Sequence, residues 1–157
     1  MKNRKLLALL LTLVLAIGLI PMTAFAAQRD VTASSTASIT INGAVENDVL
    51  AAYKLINITY NQRTNTLAYE WSSEAIKNYF ENETTNGTGI VYDVKKFAEL
   101  SDDPDTNQTA LKELLAGLPN YIAANSIAPV ATQTVAADKT ATFDNLEMGE
   151  YFIIFNS

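Results

Sequence analysis

The spacing of hydrophobic positions changes several times along the chain. Leu6 to Ile20 is an almost unbroken apolar run. From residue 38 polar and apolar residues alternate through Ser38-Ile39-Thr40-Ile41, the period of a half-buried strand, and Asn42-Gly43 supplies turn chemistry. Val49 to Tyr60 is rich in aliphatic and aromatic residues and predicts a second strand. Asn61 to Asn65 is a polar turn, and Thr66-Leu67-Ala68-Tyr69-Glu70-Trp71 returns as a third strand, so residues 49–71 predict a hairpin.

Beyond Trp71 the apolar period lengthens. Ser72 and Ser73 offer an N-cap for a short helix carrying Ala75, Ile76, Tyr79 and Phe80. Asn82 to Gly89 is a polar loop. Asp93 offers a cap for a second helix with Val94, Phe97 and Leu100 on one face. Thr109 to Asn125 places Leu111, Leu114, Leu115, Leu118 and Ile122 at helical spacing, and Pro119 bends or divides that helix. Strand alternation resumes over Val130 to Val135. It continues through Thr140 to Leu146 and, after a turn at Met148-Gly149, through the strongly apolar Tyr151-Phe152-Ile153-Ile154-Phe155. Strands, a helical insert between about Trp71 and Ile127, then strands predict a mainly β fold: a β-sandwich with helices inserted in one connection. The sequence runs out at Ser157 directly after the last strand, which reads as a fragment of a longer protein.

The N-terminal run changes the picture of where the chain works. Lys2, Arg4 and Lys5 precede it, Pro21 ends it, and Ala24-Phe25-Ala26 gives the small–x–small pattern of a signal-peptidase site, with cleavage between Ala26 and Ala27. The run is short for a membrane span. Residues 1–26 therefore read as a cleavable export signal, residues 27–37 as a small, polar linker, and residues 38–157 as the folded domain. The expected location is secreted or at the cell surface.

Removing the leader leaves 131 of the 157 residues, enough for one core. It also leaves 8 basic against 17 acidic side chains, a net charge of −9. Such a surface disfavours nucleic acid and anionic membrane as partners. The chain has no cysteine and no histidine, so disulfide staples, the usual nucleophile–base pairs and the usual zinc ligand sets are all excluded. No carboxylate pair stands out from the acidic surface, and no cofactor, metal or enzymatic activity is expected. Asp102, Asp103 and Asp105 lack the spacing of a calcium loop. Asn57, Asn82, Asn86 and Asn107 each open an Asn-x-Thr triplet, a glycosylation pattern that an Asn/Thr-rich chain produces by coincidence.

Three segments in order carry a resemblance: Ala37-Ser38-Ile39-Thr40-Ile41-Asn42-Gly43, Ala52-Tyr53-Lys54-Leu55-Ile56, and Phe143-Asp144-Asn145-Leu146-Glu147-Met148-Gly149-Glu150-Tyr151-Phe152-Ile153-Ile154. Together they resemble the N-terminal domain of sortase-assembled, isopeptide-forming pilin subunits of Gram-positive bacteria, over roughly residues 37–155. The resemblance implies an immunoglobulin-like β-sandwich with an inserted helical segment, α+β overall. It implies a structural role in a surface pilus or fimbria, in fibre assembly and adhesion. The implied partners are other pilin subunits, host or matrix ligands, and sortase and the cell wall through C-terminal parts not present in this sequence. The alternative is a secreted carbohydrate- or protein-binding module, for which Tyr60, Tyr69 and Trp71 form the local aromatic cluster.

Lys54 is the residue with two readings. By strand alternation it shares a face with Leu50, Ala52, Ile56 and Ile58. There it is either a sheet-edge lysine with a packed stem and a solvated head, or a neutral amine poised for an isopeptide bond. The second reading needs an acceptor and a proton-shuttling acid, for which Asn156 and Glu70 are the candidates by pattern. Family domains that form the bond usually carry the lysine on the first strand, and Ser38–Asn42 has none. The expectation is a domain that folds without such a bond.

Overall fold

The computed structural model describes residues 14–16, 35–102 and 107–156. The order of elements is β1 (Val14–Ala16), β2 (Thr36–Asn42), β3 (Val49–Asn61), β4 (Thr66–Trp71), α1 (Glu74–Phe80), α2 (Val94–Asp102), α3 (Gln108–Leu115), α4 (Leu118–Ala124), β5 (Ala131–Thr134), β6 (Thr140–Glu147) and β7 (Gly149–Asn156). The fold is mainly β, with two antiparallel sheets and a helical insert between β4 and β5. β1 lies within the apolar run read as a leader and pairs with Gly149–Tyr151 of β7. The rest of that run, the Ala26/Ala27 junction and residues 27–34 of the expected linker lie outside the described residues. Thr36 and Ala37, also assigned to the linker, begin β2.

The larger sheet runs β1-β7-β3-β4, with β5 on the same flank of β3 as β4. β5 covers Val49–Ala52 and β4 covers Ile56–Asn61, leaving a gap at residues 53–55. Ser72 fills the gap: its N–H donates to the Leu55 carbonyl at 2.9 Å and its hydroxyl donates to the Lys54 carbonyl. The helical insert thus leaves and rejoins the sheet on one flank of one strand. The smaller sheet is β2 paired with β6.

Apolar periodicity explains how the layers stack. Leu50, Ala52, Tyr151 and Ile153 from the large sheet share a core with Ile39, Ile41, Phe143 and Leu146 from the small one. The opposite face of the large sheet supplies Leu55, Ile56, Ile58 and Phe152, which pack against Ile76, Phe80, Phe97, Leu111 and Leu118 from the helices. Local sequence starts and stops those helices. The Ser73 hydroxyl accepts the Ile76 N–H at 3.2 Å, and Asp93 Oδ1 accepts the Lys96 N–H at 2.8 Å. The 109–125 segment is divided, as Pro119 led us to expect: α3 ends at Leu115, and Pro119 sits in the first turn of α4, where its missing N–H costs nothing.

Two expectations are corrected. β3 is not a simple alternating strand. Lys54 lies opposite Tyr151 while Ile56 lies opposite Glu150, so Leu55 is an extra residue and the strand carries a bulge. The bulge flips the side-chain register: Leu50 and Ala52 face the small sheet, whereas Ile56 and Ile58 face the helices. Lys54 therefore does not share a face with Ile56 and Ile58. Nor do β6 and β7 form a hairpin about Met148-Gly149. β6 pairs with β2 and β7 with β3, so the chain passes from one sheet to the other there.

Candidate functional site

The crossing between the sheets is where Lys54 lies. Its side chain is 9 % exposed, and Nζ reaches Glu147 Oε2 at 2.9 Å. The Glu147 side chain is 84 % exposed, so the lysine keeps its stem in the protein and its charge at the rim. Nζ also stands 6.0 Å from the centre of the Tyr151 ring. Tyr151 in turn donates its hydroxyl to the Glu147 carbonyl at 2.6 Å. The hydrogen bond from Lys54, with its positive charge, holds the Glu147 carboxyl below the usual carboxylate range. Burial, with the Glu147 charge beside it, pushes the Tyr151 hydroxyl up to about 12.

Gly149 makes the crossing possible. It does not form the tight turn that the sequence suggested; it opens β7 in close contact with β3. A Cβ there would strike the Ile56 carbonyl oxygen and the Lys54 side chain, so the lysine stem occupies the space a larger residue would fill.

The three residues singled out for isopeptide chemistry are separated. Asn156 lies at the far end of β7, opposite Val49, while Lys54 lies opposite Tyr151. Glu70 is an exposed residue on β4, opposite Asn57. The structure brings Lys54 to Glu147 and to neither of the others. It also places a carboxylate that pattern reading passed over: Glu150 is fully buried on the helix-facing side, with Oε2 accepting the Ser101 hydroxyl at 3.1 Å. Its position between Gly149 and the apolar run from Tyr151 was the available signal.

The aromatic residues divide. Tyr60 donates to Asn65 Oδ1 at 2.7 Å across the β3–β4 turn. Trp71 stacks on Phe80, ring centres 4.8 Å apart and planes within 4°, and its indole N–H donates to Glu81 Oε1 at 2.8 Å. Tyr69 and Trp71 are half-buried and, with Glu70 between them, border a shallow groove of about 340 Å³, closed by Ser73, Glu74 and Lys77 of the α1 turn and by Val94.

The Asn-x-Thr asparagines at 82 and 86 are engaged locally. Asn82 Oδ1 accepts the N–H groups of Thr84 and Thr85, and buried Asn86 donates to the carbonyls of Phe80 and Ile90. Asp103 and Asp105 lie outside the described residues, and Asp102 ends α2. Among the described residues no group of three or more His, Cys, Asp or Glu is arranged to hold a metal, and no helix is long and apolar enough to cross a membrane. Comparison of the sequence with protein-family models and with curated proteins finds no match.

Proposed function

We propose that this chain is a structural subunit of a bacterial cell-surface fibre, built on an immunoglobulin-like β-sandwich and working by assembly and adhesion. The observation that carries the reading is the placement of the start of β2 and the end of β7 at opposite ends of the sheets. Thr36, at the start of β2, pairs with Glu147 beside the start of β7, whereas β7 ends at Asn156, opposite Val49. Eight residues of β7 at about 3.4 Å each put these ends roughly 24 Å apart along the sheet. A domain threaded from one end to the other suits a linear series of domains. The basic leader, the Ala24-Phe25-Ala26 site and the acidic surface support export, and the ordered segments from Ala37 to Ile154 support a pilin-like subunit.

The test is direct. Antibody raised against residues 27–157 is expected to decorate filaments on intact cells of the producing organism. It is also expected to reveal a ladder of species resistant to boiling in SDS. Label confined to the culture medium as a single small species, or to the cytoplasm, overturns the proposal.

A further inference from the structure

We propose that the groove between β4, α1 and the start of α2 binds a neutral pyranose saccharide. Three observations converge on that ligand. First, the groove walls are aromatic and already fixed. Tyr69 and Trp71 project from alternate positions of one strand toward the helical layer, and Phe80 backs the indole at 4.8 Å. The indole N–H is committed to Glu81, so Trp71 offers ring surface and no donor, which suits the apolar C–H face of a sugar.

Second, the rim is polar and carries one surplus negative charge, Glu70 and Glu74 standing against Lys77. Glu74 Oε1 and Lys77 Nζ stand 3.8 Å apart, and Ser73 lies next to them. These groups present hydrogen-bond donors and acceptors to hydroxyls, and the surplus carboxylate turns away anionic sugars, so the hydroxylated ligand that fits is a neutral one. Third, the volume of about 340 Å³ lies at the small end of ligand pockets, whose range begins near roughly 300 Å³. That is room for one or two rings, not for a folded partner. The inference does not depend on the fibre assignment.

Trp71 is the single tryptophan of the chain, so its fluorescence reports on this groove alone. The exported protein is titrated with glucose, galactose, mannose, N-acetylglucosamine, N-acetylgalactosamine and their common disaccharides at millimolar concentrations. At least one is expected to shift the emission saturably and to protect Trp71 from acrylamide quenching. Tyr69→Ala is expected to weaken that sugar about tenfold, the loss of one aromatic contact. Lys77→Ala, at a partly exposed position that the core does not need, is expected to weaken it severalfold. Absence of any emission change across the panel overturns the proposal, as does unaltered affinity in Lys77→Ala together with a folded Tyr69→Ala.

Discussion

Lys54 and Glu147 belong to different sheets, yet their side chains meet at 2.9 Å where the chain passes from one sheet to the other. The contact is a clasp over the Met148 crossing. Its energetics are unequal: the lysine stem is nearly covered and the glutamate is in water, so packing outweighs the ion pair. Lys54→Met is therefore expected to keep stability within about 1 kcal/mol, Glu147→Gln to cost less than about 1 kcal/mol, and Lys54→Ala to cost more than either. Urea unfolding of the three variants checks the order, and a double-mutant cycle on Lys54 and Glu147 isolates the pair.

The same pair sets a pH dependence. The folded pKa of Glu147 is lowered from its ordinary 4.5, so the contribution of its ionised form is fully present above that value and is lost as pH falls through the lowered folded value. Carbon-13 titration of the Glu147 carboxyl is expected to give a midpoint below 4.5, returning toward it in Lys54→Met.

At high pH two tyrosines act in the opposite sense. Burial, the dominant cause at each, holds the Tyr79 and Tyr151 hydroxyls at about 12 against the ordinary 10. A folded value raised above the unfolded one means the stabilisation is complete below pH 10 and is lost as pH rises toward 12. Ultraviolet titration is expected to show two late-ionising phenols. Tyr79→Phe removes one of them and leaves the Leu114 carbonyl without its 2.7 Å donor.

Gly149→Ala tests close approach in the absence of any turn. Gly149 is not among the residues with a left-handed backbone, so alanine meets no conformational barrier there. The cost arises from contact with the Ile56 carbonyl and the Lys54 side chain. A loss of about 1–3 kcal/mol is expected by overpacking. Adding Lys54→Ala is expected to recover part of it, because the backbone contact remains. Chemical denaturation of the single and double variants separates the two contacts.

Much of the framework was legible because each element obeyed a local rule. β2 reads out through Ile39 and Ile41, α1 through the Ser73 cap, and the α3/α4 division through Pro119. What misled was a non-local event, the extra residue at Leu55. A bulge leaves no mark on composition, and once it flips the register every inference from alternation past Lys54 inverts. The same limit hid the β6–β7 crossing, since Glu147-Met148-Gly149 has the composition of a hairpin turn and only pairing with β2 and β3 distinguishes the two. The Lys54–Glu147 contact joins residues far apart in sequence, whereas Asn156 was chosen for its face on the last strand and Glu70 for its apolar neighbours Tyr69 and Trp71, and neither pattern says which residues meet across the sheets. Glu150 was missed because a carboxylate in an apolar run looks like a strand-edge charge until helix α2 is laid over it.

The pairing of β2 with β6, and of β3 with β7, ties the beginning of the domain to its end. Residues 36–42 have no sheet partner until residues 140–147 have been made, and the central strand β3 lacks one neighbour until the last strand arrives. Such long loop closures are slow, and they are impossible for a truncated chain. Before residues 140–156 are made, the chain can form its helices, the β3–β4 hairpin and the β3–β5 pairing, but neither the small sheet nor the β3–β7 pairing. Closure of both sheets is therefore one late event that waits on residues 140–156.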